Sequence, residues 1–253
     1  MEREAYKIEA QVVEDHWWFR GRRKLFSKEI SDAGIKNTAR VLDVGTSTGT
    51  NLIMLKENGF DWTVGLDLSP DALLSYKNRE LGPVMGGVAE RLPFAENCFD
   101  LVLATDILEH LDDDSVGLKE IARVLKPGGT ALFTVPAFQC LWGLQDEVSE
   151  HRRRYRLKQL RNVIQSENFS INKAYYFNFF LFIPILCARK IITLFNIQVS
   201  SENSINDPWV NKLLYMTFIL DVKLAPLIRP WFGISACVVA TKGPTQQKPI
   251  SIN

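Results

Sequence analysis

The chain has 253 residues, 46% hydrophobic and 23% charged, with 30 Lys+Arg against 29 Asp+Glu and a formal net charge of +1. That composition is globular, one large domain or a domain with one sizeable appendage, and it excludes a disordered, collagen-like or coiled-coil chain. The near-zero charge gives no global basic field, so no nucleic acid partner is expected.

The polar, helical stretch 1–38 is predicted to be an N-terminal lid, with an aromatic and basic knot from His16 through Trp17, Trp18, Phe19 and Arg22 to Lys24. Its first residues lack the apolar core that a signal peptide requires. From 39 to 135, β-branched runs alternate with helical stretches at a period near 25 residues, the pattern of βα units around a parallel sheet, and 157–177 adds one more helix and strand to a predicted core of 39–177. Strands are predicted at Arg40–Val44, Thr63–Asp67, Pro83–Gly86, Phe99–Ala104, Thr130–Val135 and Ser170–Phe177. Ser69-Pro70 reads as a helix start, Pro127-Gly128-Gly129 as a helix stop, and Leu157–Ser166 as a helix. An apolar insertion follows at 178–233, then a last strand at Ile234–Thr241 within a terminal segment, 234–253, whose tail is polar.

The expected fold class is therefore α/β: a Rossmann-like, seven-stranded, mostly parallel sheet with an apolar helical cap inserted before the last strand. Within the insertion, Phe179–Ala188 is too short to span a bilayer. A second segment opens with Asp207-Pro208 and sets Trp209, Leu213, Thr217 and Leu220 on one helical face. Two amphipathic helices are expected, serving as a lid with its own small core, as a membrane-surface contact with Lys190, Lys212 and Lys223 at the headgroups, or in dimerisation.

The chemistry concentrates in Val41-Leu-Asp-Val-Gly-Thr-Ser-Thr-Gly-Thr50. A strand ends in Asp43, Gly45 turns the chain close to a ligand, and Gly49 opens a helix whose free N–H groups face the same crevice. The next strand ends at Asp67, where a carboxylate can accept both hydroxyls of a ribose. The spacing is not the G-x-G-x-x-G that seats a pyrophosphate, and Asp43 would repel one. A cationic nucleoside without phosphate suits the loop, and S-adenosylmethionine is such a ligand.

In these motifs the chain resembles the class I S-adenosylmethionine-dependent methyltransferases, in a branch related to quinone-biosynthesis and surface-glycan enzymes. The resemblance rests on Leu42–Gly49, Val64–Asp67, Ala89–Phe94, Phe99–Val102, Asp106–His110 and Leu125–Gly129, in that order. It implies that Gly45 and Gly49, with Thr46 and Ser47 between them, approach the methionyl part and that Asp67 takes the ribose. Leu68 and Ala89 would border the adenine, and Thr105 with Asp106 the methionine side. Ser47 stands where relatives carry Gly, so a left-handed backbone there has a steric cost. Trp17-Trp18-Phe19 with Arg22 resembles the opening of the surface-glycan relatives, with Arg22 closing over the cofactor.

His151 opens a basic run, Arg152 to Arg161, just past the fifth strand, and is the candidate catalytic base. The run itself reads as a wet helix face or a seat for phosphate. Asp112-Asp113-Asp114 reads as a solvated helix start without the companion carboxylates of a magnesium site, and no metal is expected. Cys98, Cys140, Cys187 and Cys237 form no C-x-x-C pair, which denies a zinc knuckle and a disulfide scaffold and points to reduced thiols in a cytoplasmic protein. The expected reaction is methyl transfer to an oxygen, less readily a carbon, of a small acceptor, apolar or lipid-linked, with the protein peripheral to the inner face of a membrane. The alternatives are O-methylation of a soluble sugar or metabolite, and a cofactor-binding scaffold without catalysis.

Overall fold

The β-branched run at Arg40–Val44 (β1) lies at the centre of a seven-stranded sheet, because its residues 41–44 are buried and leave no solvent-facing side. The structure is a computed structural model that describes residues 12–70, 72–73, 82–195 and 207–244. The first eleven residues of the expected lid, most of the helix opened by Ser69-Pro70, and the tail beyond 244 lie outside the described residues.

After β1 come α1's partner elements in the order α2 (Thr50–Glu57), β2 (Trp62–Asp67), β3 (Val84–Gly86), β4 (Phe99–Thr105) and α3 (Asp114–Val124), with α1 (Trp17–Asp32) preceding them. There follow β5 (Leu125–Pro136), α4 (Leu144–Val148), α5 (Leu157–Ser166), β6 (Phe169–Phe177), α6 (Phe182–Leu194), α7 (Pro208–Ile228) and β7 (Ser235–Lys242). The sheet order is β3-β2-β1-β4-β5-β7-β6, with only β7 antiparallel to its neighbours. From β1 the chain winds outward to β2 and β3, then returns to β4 on the other side of β1. That reversal opens a crevice at the carboxyl ends of β1 and β4, where open α/β sheets bind ligands.

Side chains alternate across the sheet, so each face has its own core. Leu42, Val102 and Phe133 point to the side covered by α3 and α5, through Leu118, Ile121, Leu160 and Ile164. Val41, Leu101, Leu132 and Tyr175 point to the other, with Leu25 and Phe26 of α1, Leu52 of α2, and Phe218, Val222 and Ala225 of α7. The insertion thus adds α7 to the main core instead of building a separate one. Its buried stripe is Phe218, Val222 and Ala225, whereas Trp209, Leu213 and Leu220 of the predicted face are exposed. Helix α3 ends at Val124, and the Pro127-Gly128-Gly129 stretch lies inside β5 at a register irregularity opposite Phe99 and Leu101.

The α1–α7 contact depends on a residue with no side chain. A Cβ on Gly21 would lie 1.9 Å from Phe218 Cδ1, and the ring has nowhere to go, being stacked on Trp18 and Phe177. Gly21→Val is expected to cost at least about 1–3 kcal/mol by overpacking, read as a lowered midpoint in denaturant unfolding. Combining it with Phe218→Ala should give less than the sum of the two single losses; simple additivity would mean that the two positions do not meet.

Candidate active site

The loop after β1 takes three left-handed residues in five: Gly45 at φ 73°, Ser47 at φ 45° and Gly49 at φ 83°. Ser47 therefore does carry the cost expected of a side chain at that position. The loop is held by Gly45 N and Thr46 N donating to Leu66 O at 2.8 and 3.0 Å. Asp67 ties it further, its Oδ2 accepting from Ser47 N and its Oδ1 from Ser69 N, both at 2.8 Å. A Cβ on Gly45 would sit 1.9 Å from Ile107 Cδ1, so the next loop packs directly on this one.

These loops wall a cavity of about 1260 Å³. Gly45, Thr46, Ser47, Asp67, Leu68, Ala89, Thr105, Asp106 and Arg22 all line it, as does His151. Asp43 and Gly49 do not: Gly49 caps α2 behind the wall, and Asp43 is fully buried beneath the loop. From the sequence Asp43 is expected to hold a ligand ammonium directly or through water; its burial leaves only the indirect route. Its Oδ1 accepts from Asn51 Nδ2 at 2.9 Å, and the same Nδ2 donates to Thr105 Oγ1 at 3.1 Å. Asn51 lines the cavity and was missed in the sequence; its place in the first turn after Gly49, facing the crevice, was the available signal. Burial raises the Asp43 pKa to about 6, against the hydrogen bond from Asn51.

Helix α1 brings Arg22 across the mouth of the crevice, where its Nη2 lies 2.8 Å from Asp106 Oδ2. The guanidinium also sits 5.2 Å from the Phe26 ring centroid and 5.8 Å from that of Trp18. Asp106 adopts φ 57° and accepts from Thr134 Oγ1 at 3.1 Å, which aims its other oxygen at Arg22.

Also on the cavity wall, His151 is held by Asp146. Burial alone would raise the Asp146 pKa, but hydrogen bonds from His151 and Arg154 outweigh it and keep the carboxyl at about 2. An ionised carboxylate can only accept, so Nδ1–H of His151 donates to Asp146 Oδ1 at 2.8 Å, which in the neutral ring leaves the lone pair on Nε2. That Nε2 lies 3.9 Å from Oε1 of Glu109, a fully buried residue. Burial first, and the Asp106 charge second, push the Glu109 carboxyl well above the usual range. The His110 ring stands edge-on to that of His151, 4.8 Å between centroids.

The first part of the basic run fastens loops, whereas Arg156, Lys158 and Arg161 are exposed at the start of and along α5, the wet helix face expected of the run. Arg152 Nε donates to His110 O, and Arg153 Nη2 to Leu111 O and Asp112 O, each at 2.8 Å. Arg154 bonds both Asp146 oxygens and Ala137 O. The acidic triplet does start α3, with Asp112 and Asp113 exposed and Asp113 as N-cap, and the Tyr155 hydroxyl donates to Asp114 Oδ2 at 2.8 Å, which ties that one member into the fold. Asp146, missed in the sequence, organises the whole cluster from a five-residue helix that no periodicity reveals.

Helix α6 covers the His151 end. Leu181, Pro184, Ile185, Ala188 and Ile192 line the cavity, and Arg189 reaches to 3.6 Å from Asp146. The site is therefore polar along the sheet and apolar under the insertion.

Residues 42–133 match the family model of a methyltransferase domain. A demethylmenaquinone methyltransferase of Mycolicibacterium vanbaalenii is 35% identical over 116 residues, which cover 46% of this chain and 47% of that protein. A second, from Corynebacterium efficiens, is 35% identical over 45% of this chain and 50% of its own length, so the chain spans about half the length of the curated relatives it matches. Among solved structures, a chain of the complex containing the Haloferax volcanii Trm112 methyltransferase activator aligns over 97% of both chains, with a TM-score of 0.65 at 17% identity, a likeness of fold. The methyltransferase-domain match stops short of α1, of His151 and of the insertion, which form the rest of the cavity wall.

Proposed function

We propose that this protein transfers a methyl group from S-adenosylmethionine to an oxygen of a small apolar or lipid-linked acceptor. The observation that carries the reading is one cavity lined both by the Gly45–Asp67 crevice and by His151. Its volume of about 1260 Å³ exceeds the roughly 300–1,000 Å³ of a single-ligand pocket, which leaves room for donor and acceptor together. The donor fits the residues present: the carboxylate of Asp67 lines the cavity beside the Gly45–Ser47 backbone, and exposed Leu68 offers an apolar face beside Ala89. Asp67 would take the ribose, Leu68 and Ala89 the adenine, Gly45, Thr46, Ser47, Thr105 and Asp106 the methionyl part, and Arg22 its carboxylate.

When bound, S-adenosylmethionine supplies a sulfonium-borne methyl group open to in-line displacement. The chain's part is to hold the acceptor in line and exclude water, which α1 and α6 do by roofing the cavity. His151, with Nδ1 fixed by Asp146, receives the acceptor's proton at Nε2.

The lipid-linked part of the reading is supported by α6 and α7. Helix α6 turns Leu181, Ile185 and Ala188 to the cavity and leaves Ile183, Ile191 and Leu194 exposed on its other side. On α7, Trp209, Leu213, Met216 and Leu220 form an exposed apolar stripe, with Lys212 and Lys223 exposed beside it. Among the described residues no helix is long and apolar enough to cross a membrane. Such a surface suits an interfacial helix pair that delivers a lipid acceptor to the cavity.

The test is methyl incorporation from radiolabelled S-adenosylmethionine into a cell extract split into lipid and aqueous fractions. Label in the lipid fraction is expected; label confined to the aqueous fraction rejects the lipid acceptor, and none in either rejects catalysis. In parallel, co-sedimentation with anionic liposomes should weaken at high salt and fall in a Trp209→Ser, Leu213→Ser, Met216→Ser variant. These positions are chosen because Leu181 and Phe182, in the more apolar run, are core residues whose loss would unfold the cap. Wild-type protein that stays in the supernatant with every lipid removes the membrane contact.

A further inference from the structure

We infer that Glu109, His110 and His151 form a binding site for one first-row divalent transition-metal ion at the floor of the cavity's acceptor end. One potential ligand atom from each residue lies within 4.8 Å of the other two. His151 Nε2 and Glu109 Oε1 are 3.9 Å apart. Metal–ligand bonds of about 2.0–2.2 Å need ligand atoms roughly 3–3.5 Å apart, so side-chain rotation over about an ångström closes the set.

Three features set this cluster apart from a chance meeting of polar side chains. Both carboxylate oxygens of Glu109 are buried with no hydrogen-bond partner from another residue, an arrangement that is costly unless something supplies one. His151 already has the outer partner that metal-bound histidines carry: Asp146 accepts from Nδ1, fixing the tautomer so that the Nε2 lone pair points at Glu109. Finally, the two segments that carry the ligands are fastened to each other. Arg152 N donates to Glu109 O at 2.9 Å, Arg152 Nε to His110 O and Arg153 Nη2 to Leu111 O.

Two imidazoles and one carboxylate favour Zn²⁺, Co²⁺, Fe²⁺ or Mn²⁺ over oxygen-seeking Mg²⁺ and Ca²⁺. Glu109 lies below the cavity floor while His110 and His151 line it, so three protein ligands leave a position open upward, as in catalytic rather than structural sites. The use of that position rests on the methyl-transfer reading. An acceptor hydroxyl bound there becomes acidic, and its proton passes to solvent water, since the His151 lone pair is then engaged by the ion. The metal-free protein would instead use His151 itself as the proton acceptor.

The test uses the full chain, tag-free, stripped with chelator and with its thiols alkylated, titrated with Co²⁺ and followed by visible absorption. Saturation at one ion per chain is expected, with Mg²⁺ failing to compete and Zn²⁺ displacing the cobalt. Glu109→Gln and His151→Ala should each weaken Co²⁺ at least about tenfold, and Asp146→Asn about 10–100-fold. Circular dichroism checks that each variant is folded, and Glu109→Gln, nearly isosteric, carries the test if His151→Ala is not. Absence of stoichiometric cobalt in the wild type, or wild-type affinity in folded Glu109→Gln, overturns the site. S-adenosylmethionine calorimetry on the same preparations keeps the two readings separate, because failure there with cobalt bound rejects the donor and not the metal.

Discussion

Replacing His151 by alanine is expected to lower turnover by about two to four orders of magnitude, the range of a positioned acid or base, while S-adenosylmethionine affinity stays nearly unchanged. The separation of effects follows from geometry. His151 is held by Asp146 beside Glu109 and His110, whereas the Gly45–Asp67 loop is held by its own bonds to Leu66 and Asp67. Asp146→Asn should lower turnover too, because an amide can donate to Nδ1 and so favour the tautomer with its proton on Nε2. Single-turnover rates and donor calorimetry on each variant make the measurement. A fall of less than about tenfold in His151→Ala would leave this residue a positioning role only. Metal-dependent turnover in the wild type would assign it to the ion, and metal-independent turnover to the proton.

Asp67→Ala is expected to weaken S-adenosylmethionine binding by about 1.5–3 kcal/mol, roughly ten- to a hundredfold, the scale of hydrogen bonds to a charged group. Part of that loss comes through the loop. Asp67 accepts from Ser47 N and Ser69 N, so its removal releases the left-handed Ser47 as well as the ribose contact. Asp67→Asn separates the two, since its amide oxygen retains one acceptor while the charge is gone. Isothermal calorimetry reads the affinity, and unchanged binding in Asp67→Ala would remove the ribose assignment.

The crevice end of the site was legible because its chemistry is local. A strand, a turn that needs positive φ and a helix N-terminus occupy ten consecutive residues, and Asp67 ends the very next strand. The strand register then carries Val44, Asp67 and Thr105 to one edge, since β1 pairs in parallel with both β2 and β4. The fold class was readable for the same reason: buried parallel strands are short apolar runs, and Arg40–Val44 and Leu157–Ser166 end where their residue types change.

Burial and long-range pairing were not legible, and they decided the rest. Asp43 looked like a ligand contact in one dimension but lies behind the wall, with Asn51 in its place. The arginines after His151 looked like a charged surface or a phosphate seat, yet Arg152 and Arg153 reach carbonyls about 40 residues earlier in the chain. On α7 the helical pattern could not say which of two neighbouring apolar stripes faces inward, and Phe218 opposite Gly21 settled it. Local sequence determined the sheet, its order of elements and the donor crevice, because propensity and turn chemistry act over a few residues. Asp146 meets His151 from five residues earlier in the same segment, but only tertiary structure decided that Glu109 and His110 would reach it, since they come from the loop after β4 about 40 residues away and no short-range pattern records that meeting.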